Sequence, residues 1–155
     1  MSNLNDTSIS PALVMKVGEF RCALPLRHVL ETMRPLPIQP LACAPDFVLG
    51  LSVIRGEPVP VVDLASLLQI PSDPPSRFVV VRAGDRRVAL AVELIAGTRA
   101  VTPQSLSSVP PLLAGAPAVS VAAIGSLDKQ LLLVLETACL IPDEVWASLA
   151  GSEER

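Results

Sequence analysis

Two stretches far apart in this chain follow one plan: ALVMKVGEFRCALPL, starting at Ala12, and RFVVVRAGDRRVALAVE, starting at Arg77. Each is an aliphatic run, a glycine followed by an acidic residue, and a second aliphatic run. Two β-favouring runs separated by two turn residues predict a hairpin. In the first, Phe20, Cys22, Leu24 and Leu26 recur at period two, the spacing of a half-buried strand. A unit that returns after a proline-rich break predicts two similar β lobes.

The rest of the chain supports this reading. Half of its 155 residues are hydrophobic, yet the aromatics are only Phe20, Phe47, Phe78 and Trp146, so the core must be aliphatic. Valine and isoleucine are stiff at the first side-chain torsion and pack well on pleated surfaces. A chain of this size buries roughly two-thirds of its extended surface and needs no staple. GLSVIRGEPVPVVDL, Gly50 to Leu64, predicts a hairpin tipped by Arg55, Gly56 and Glu57, with Gly56 at positive φ. RHVLETM reads as one helical turn leading into an extended piece, and PLPIQPLACAP as a proline-broken surface crossing. LASLLQI predicts a short helix, with Asp63 as an N-cap accepting backbone N–H bonds. PSDPPS is a linker, LIAGTRAV another strand, TPQSLSSV a short helix, and PAVSVAAIGSLDKQLLLVLE a hairpin turning near Leu127–Lys129.

The expected fold is all-β, two small barrels side by side. The polar residues 1–10 form a flexible N-terminus and 11–150 a single domain. Lobe one is expected over about 11–70 and lobe two over about 77–140. A helix begun by Asp143 covers about 142–150.

Several functions lack support in these residues. A net charge of −3 with scattered charges and few aromatics offers no nucleic-acid surface. The N-terminus lacks the basic and apolar regions of a secretion signal, and LLLVL is too short to cross a bilayer. Cys22, Cys43 and Cys139 have no CxxC spacing and read as free thiols of a cytoplasmic protein. With His28 they form no metal-ligand pattern. GLSVI lacks the last glycine of a nucleophile elbow, and there is no phosphate loop, dinucleotide fingerprint or H-E-x-x-H motif. His28 is the lone histidine and reads as a residue of a short helical turn. No cofactor, metal site or catalytic residue is expected.

An arginine at a glycine-tipped hairpin presents five donors in a fixed fork, and arginine is enriched at interface hot spots. Taken alone, Arg55 is equally well a soluble turn residue. The surrounding pattern adds to this. Phe20, Leu24-Pro25-Leu26, Val29 and Glu31 stand in one block, and Pro45, Phe47-Val48, Gly50, Arg55-Gly56 and Val59-Pro60-Val61-Val62-Asp63-Leu64 in a second. Val79–Val81, Gly84, Leu90, Val92 and Glu93 make a third. From about Leu13 to Leu140 the chain resembles the CheW family, the coupling proteins of bacterial chemosensory arrays.

The resemblance implies two five-stranded, Src-homology-3-like barrels with a hydrophobic core between them and no catalytic activity. It implies an adaptor between the cytoplasmic tips of methyl-accepting chemoreceptors and the regulatory domain of a CheA-type histidine kinase. The protein-binding positions it carries over are Val29, Glu31, Gly50, Arg55 and Gly56. The chain departs from the family pattern at Val53-Ile54, where asparagine-leucine is usual, at Ala122-Ala123, and at Glu93, where aspartate is usual. A flagellar and a non-flagellar pathway both fit. The rival readings are a small-molecule-binding barrel, which requires an internal pocket, and a hydrolase, which requires Asp, Ser and His28 to converge.

Overall fold

The structure, a computed structural model, describes residues 10–42, 44–101, 121–127 and 130–135. In order these form β1 (Ser10–Val17), β2 (Phe20–Pro25), a single 3-10 turn (Leu26–His28), β3 (Val29–Met33), β4 (Val48–Ile54) and β5 (Glu57–Asp63). A short helix α1 (Leu64–Leu68) follows, then β6 (Arg77–Ala83), β7 (Arg86–Val92), β8 (Leu94–Val101), β9 (Val121–Leu127) and β10 (Gln130–Leu135). The strands make two five-stranded sheets, ordered β8-β1-β2-β10-β9 and β3-β6-β7-β5-β4. This is the all-β, two-barrel architecture expected from the sequence. The short helices expected over TPQSLSSV and about 142–150 fall outside the described residues, as does nearly all of the N-terminal segment.

The division of the chain between the sheets differs from the expected one. The second sheet uses only β3 to β7 and is inserted whole between β2 and β8 of the first. Lobes over about 11–70 and 77–140 are therefore not what forms, and PSDPPS links α1 to β6 inside the second sheet. The prolines mark an exposed crossing, not a boundary. The β1–β2 hairpin completes its sheet only when the chain returns as β8, β9 and β10.

The repeated pattern nevertheless corresponds to a repeat in three dimensions. β1–β2 and β6–β7 occupy equivalent places, turning at Gly18-Glu19 and Gly84-Asp85. The first strand of each pairs antiparallel with an outer strand, β8 or β3. The second pairs parallel with the last strand of another hairpin, β10 or β5.

Alternation along the strands allots the core. In the second sheet Val59, Val61, Phe78, Val80, Ala89 and Ala91 pack together as the interior of one barrel. Their neighbours Val62, Val79, Val81, Val88, Leu90 and Val92 face the other way. There they meet Leu13, Met15, Val17, Cys22 and Leu24 of the first sheet in the core shared by the lobes. Because both faces of these strands are buried, VVV and VALAV read as continuous apolar runs. Among the described residues, Ala12, Ala23 and Leu132 pack together inside the first barrel.

Two sequence oddities are resolved here. Pro58 and Pro60 sit in β5, where β7 joins only from Val61 onward, so the missing N–H groups interrupt no β5–β7 ladder. The proline-broken segment before β4 crosses its open edge as expected. Gln39 exchanges backbone hydrogen bonds with Leu51 at 2.8 and 2.9 Å, and the buried Ser52 donates its hydroxyl to the Pro37 carbonyl at 2.7 Å. The crossing shields an edge that would otherwise invite pairing.

Candidate functional site

The β4–β5 hairpin turns through Arg55 at φ +53° and Gly56 at φ +81°. Positive φ at both central residues is the type I′ turn, whose twist matches that of the flanking strands and whose usual first residue is asparagine or glycine. An arginine there sits in the left-handed region against its own steric preference. The tip reaches from one edge of the sheet to the other: β4 and β3 are its two outer strands. Across that seam Arg55 Nε and Nη2 donate to Glu31 Oε2 and Oε1, both at 2.9 Å. This is a bidentate fork of the kind that fixes geometry as well as charge.

The arginine side chain remains 72% exposed and that of Glu31 26%. The hydrogen bonds from Arg55 hold the Glu31 carboxyl below its usual range against some desolvation, and the charges of Arg55 and Arg87 act in the same direction. The bond to Glu31 raises the Arg55 guanidinium in turn. Beside this pair Arg87 Nη2 approaches Glu57 Oε1 at 3.3 Å.

The five positions singled out by the sequence fall into three groups. Glu31, Arg55 and Gly56 meet at the seam, where Gly56 has open space around it. Val29 lies at the start of β3, half-buried against the shared core and paired with Val81. Gly50 is buried: at φ +145° a Cβ on it would stand 2.2 Å from the Gln39 carbonyl oxygen. Its place is beneath the crossing segment, where it permits the close approach that lets residues 37–39 lie on β4. Asp63 does occupy the N-cap of α1, but its side chain makes no capping bond. Its backbone continues the strand, donating to the Phe47 carbonyl at 2.8 Å.

Sequence reasoning missed a second polar cluster. Glu93, the residue just after β7, accepts from Lys16 Nζ at 2.6 Å, from the Gly18 N–H at 3.1 Å and from Ser72 Oγ at 3.2 Å. Its side chain is only 10% exposed, and these bonds hold its carboxyl below the usual range. Glu93 thereby ties the linker and the second sheet to the β1–β2 turn of the first. The signal in the sequence was a lone acidic residue closing an apolar strand. Among the described residues Cys22 is the free cysteine, and burial pushes its thiol up to about 12, which makes it inert. No cluster of metal-ligating side chains occurs among the described residues, and none of their helices is long and apolar enough to cross a membrane.

Comparison with known proteins places the chain in a family. A CheW-like domain matches residues 11–145. The chain is 25% identical over 134 residues to a probable chemotaxis protein CheW of Rhizobium etli, covering 84% of this chain and 86% of that one. It is 30% identical over 103 residues to protein FrzA of Myxococcus xanthus, covering 64% and 63% of the two. The crystal structure of the scaffolding protein TtCheW from Thermoanaerobacter tengcongensis superposes with a TM-score of 0.78 at 20% identity, over 87% of this chain and 94% of that one, and shares the fold. The chain belongs to the CheW-like domain family.

Proposed function

We propose that this chain is a non-catalytic, cytoplasmic adaptor of a bacterial chemosensory system, coupling chemoreceptor tips to the regulatory domain of a CheA-type histidine kinase. The observation that carries the reading is the Arg55–Glu31 fork. Its arginine is kept at a left-handed position that asparagine or glycine would fill at lower strain. Strain of this kind persists where the surroundings over-determine it, and it clusters at functional sites. The fork presents an oriented guanidinium edge to solvent, and arginine is enriched among interface hot spots. In this reading Arg55 and Glu31 make the contact, Gly56 permits the turn, and Val29 and Gly50 act from below by seating β3 and β4.

The packing supports a binding module over the rival readings. The interior of the second barrel is filled by Val59, Val61, Phe78 and Val80, the last three at most 1% exposed, which leaves little room for a small molecule. Ser52 is buried and gives its hydroxyl to a backbone carbonyl, so it is not poised as a nucleophile. The test is calorimetric titration of the full chain with a CheA-type regulatory domain and with a receptor-tip fragment from the same genome. Saturable binding to either, lost in Arg55→Glu, is expected. Absence of binding to both would overturn the adaptor reading.

A further inference from the structure

Five charged residues of the second barrel, Glu31, Arg55, Glu57, Arg82 and Arg87, gather towards one of its ends. Arg82 stands two places beyond Val80 in β6, Arg87 two places before Ala89 in β7, and Glu57 two places before Val59 in β5. Val80, Ala89 and Val59 all point into the barrel interior. Strand alternation therefore puts Arg82, Arg87 and Glu57 on that same inner face, one layer further out, at the mouth. Arg55 follows the interior residue Ile54, and Glu31 precedes the partly buried Met33 by two. The rim thus runs Glu31, Arg82, Arg87, Glu57, Arg55 and back to Glu31, following the strand order β3-β6-β7-β5 and the turn. The action of the Arg87 charge on Glu31 is consistent with a shared mouth.

Three arginines face two carboxylates on this rim. Arg55 takes Glu31 and Arg87 takes Glu57. Arg82 has no carboxylate partner among the described residues. It also lies directly opposite Arg87 in the β6–β7 ladder. Like charges directly opposite each other on one sheet face are destabilising, so this arrangement works against the fold. A carboxylate received between Arg82 and Arg87 would remove the repulsion and complete the rim's pairing.

We propose that the mouth of the second barrel is a receiving site for an acidic side chain of a partner protein, held by Arg82 with Arg87 and Arg55 framing it. The proposal deepens the adaptor reading, since Arg55 and Glu31 belong to the same rim, and it names the chemistry the partner must bring. A partner surface with a glutamate or aspartate aimed at this end is selected, and one presenting lysine is rejected.

The test uses the full chain and a capped helical peptide with glutamates along one face, beside the same peptide with glutamines. In nitrogen–proton correlation spectra the glutamate peptide is expected to shift the Arg82 side-chain Nε resonance and the amides of residues 82–87, more at low salt than at high. The glutamine peptide should leave them in place. Arg82→Gln should weaken the glutamate peptide at least about tenfold, the loss expected for a charge-assisted hydrogen bond, and Arg82→Lys should recover part of it. Equal shifts with both peptides, or undiminished binding by Arg82→Gln, would overturn the proposal. Free sodium glutamate producing the same shifts at the same concentration would also overturn it, by making the mouth a small-anion site. The experiment contains no kinase or receptor, so it can fail while the adaptor reading stands, and the adaptor reading can fail while it succeeds.

Discussion

Arg55 and Glu31, 24 residues apart in sequence, form a two-bonded ion pair across the seam between the outer strands of one sheet. The pair sits on a turn that holds its arginine at φ +53°. Exposed ion pairs add little to stability, and a left-handed arginine subtracts from it. Folding alone therefore gives a weak reason for this residue at this place.

The first prediction separates the two roles of Arg55. Arg55→Asn suits the type I′ turn better while removing the guanidinium, so its melting temperature should equal or slightly exceed that of the parent. Its affinity for a kinase regulatory domain or receptor tip should fall by roughly thirtyfold, as for truncation of a hot spot. Paired melting curves and titrations decide the matter. A clear loss of stability would make Arg55 structural, and unchanged affinity would make it a soluble turn residue.

The second prediction contrasts two glycines four strand residues and one turn residue apart. Around Gly56 there is open space, so Gly56→Val carries only the strain of φ +81°, about 1–3 kcal/mol. Gly50→Ala should cost more despite the smaller side chain, because its Cβ would collide with backbone that is itself bonded to Leu51. Denaturant midpoints for the two variants should rank Gly50→Ala as the less stable. The opposite order would mean that residues 37–39 can lift from β4.

Much of this fold was legible because local signals agreed. The Gly18-Glu19, Gly84-Asp85 and Arg55-Gly56 turns each sit between the runs that became paired strands. RHVLETM resolved into one 3-10 turn and a strand, as expected. What could not be read was which hairpin joins which sheet. The parallel pairings of β2 with β10 and of β5 with β7 join residues that no local pattern connects. For the same reason Glu31 and Arg55 were picked out separately, and nothing local showed that curling the sheet would bring them together. Asp63 misled because its cap position was right while its side chain made no bond to the helix. Glu93 was picked out only as a departure from the family pattern, whereas its carboxylate bridges the two lobes.

A third prediction tests the division of the core. Val61 is fully buried inside the second barrel beside Phe78 and Val80. Val61→Asp would place a carboxylate there without a partner, at a cost of about 4 kcal/mol or more. The variant should be unfolded or nearly so by circular dichroism at ambient temperature. Exposed Val53, two residues before Arg55 and 69% accessible, provides the control. Val53→Asp should melt within a few degrees of the parent, because its carboxylate stays in water. Similar melting of the two variants would mean that the alternation in β4 and β5 has been assigned to the wrong faces.

The fourth prediction concerns Glu93 and acid. Its carboxyl is held below its ordinary value of 4.5, first by the hydrogen bond from Lys16 and then, against desolvation, by the Gly18 N–H and Ser72. A carboxyl whose folded pKa lies below its unfolded one binds its proton more readily when the chain unfolds. Its contribution is therefore complete above the unfolded value and is lost as pH falls through the folded one. Glu93→Gln keeps the shape but gives up the charge, so it should melt lower than the parent at neutral pH. The gap should narrow as pH falls below about 4.5, where the carboxyl of the unfolded chain takes up its proton, and close once the folded carboxyl is protonated at lower pH. Lys16→Met should show the same narrowing, and the double variant should lose less than the sum of the two singles, since both disturb one pair. A gap that stays constant with pH would mean that Glu93 acts through packing alone. A Lys16→Met variant as stable as the parent would instead assign the work to the Gly18 and Ser72 bonds that strap the linker to the β1–β2 turn.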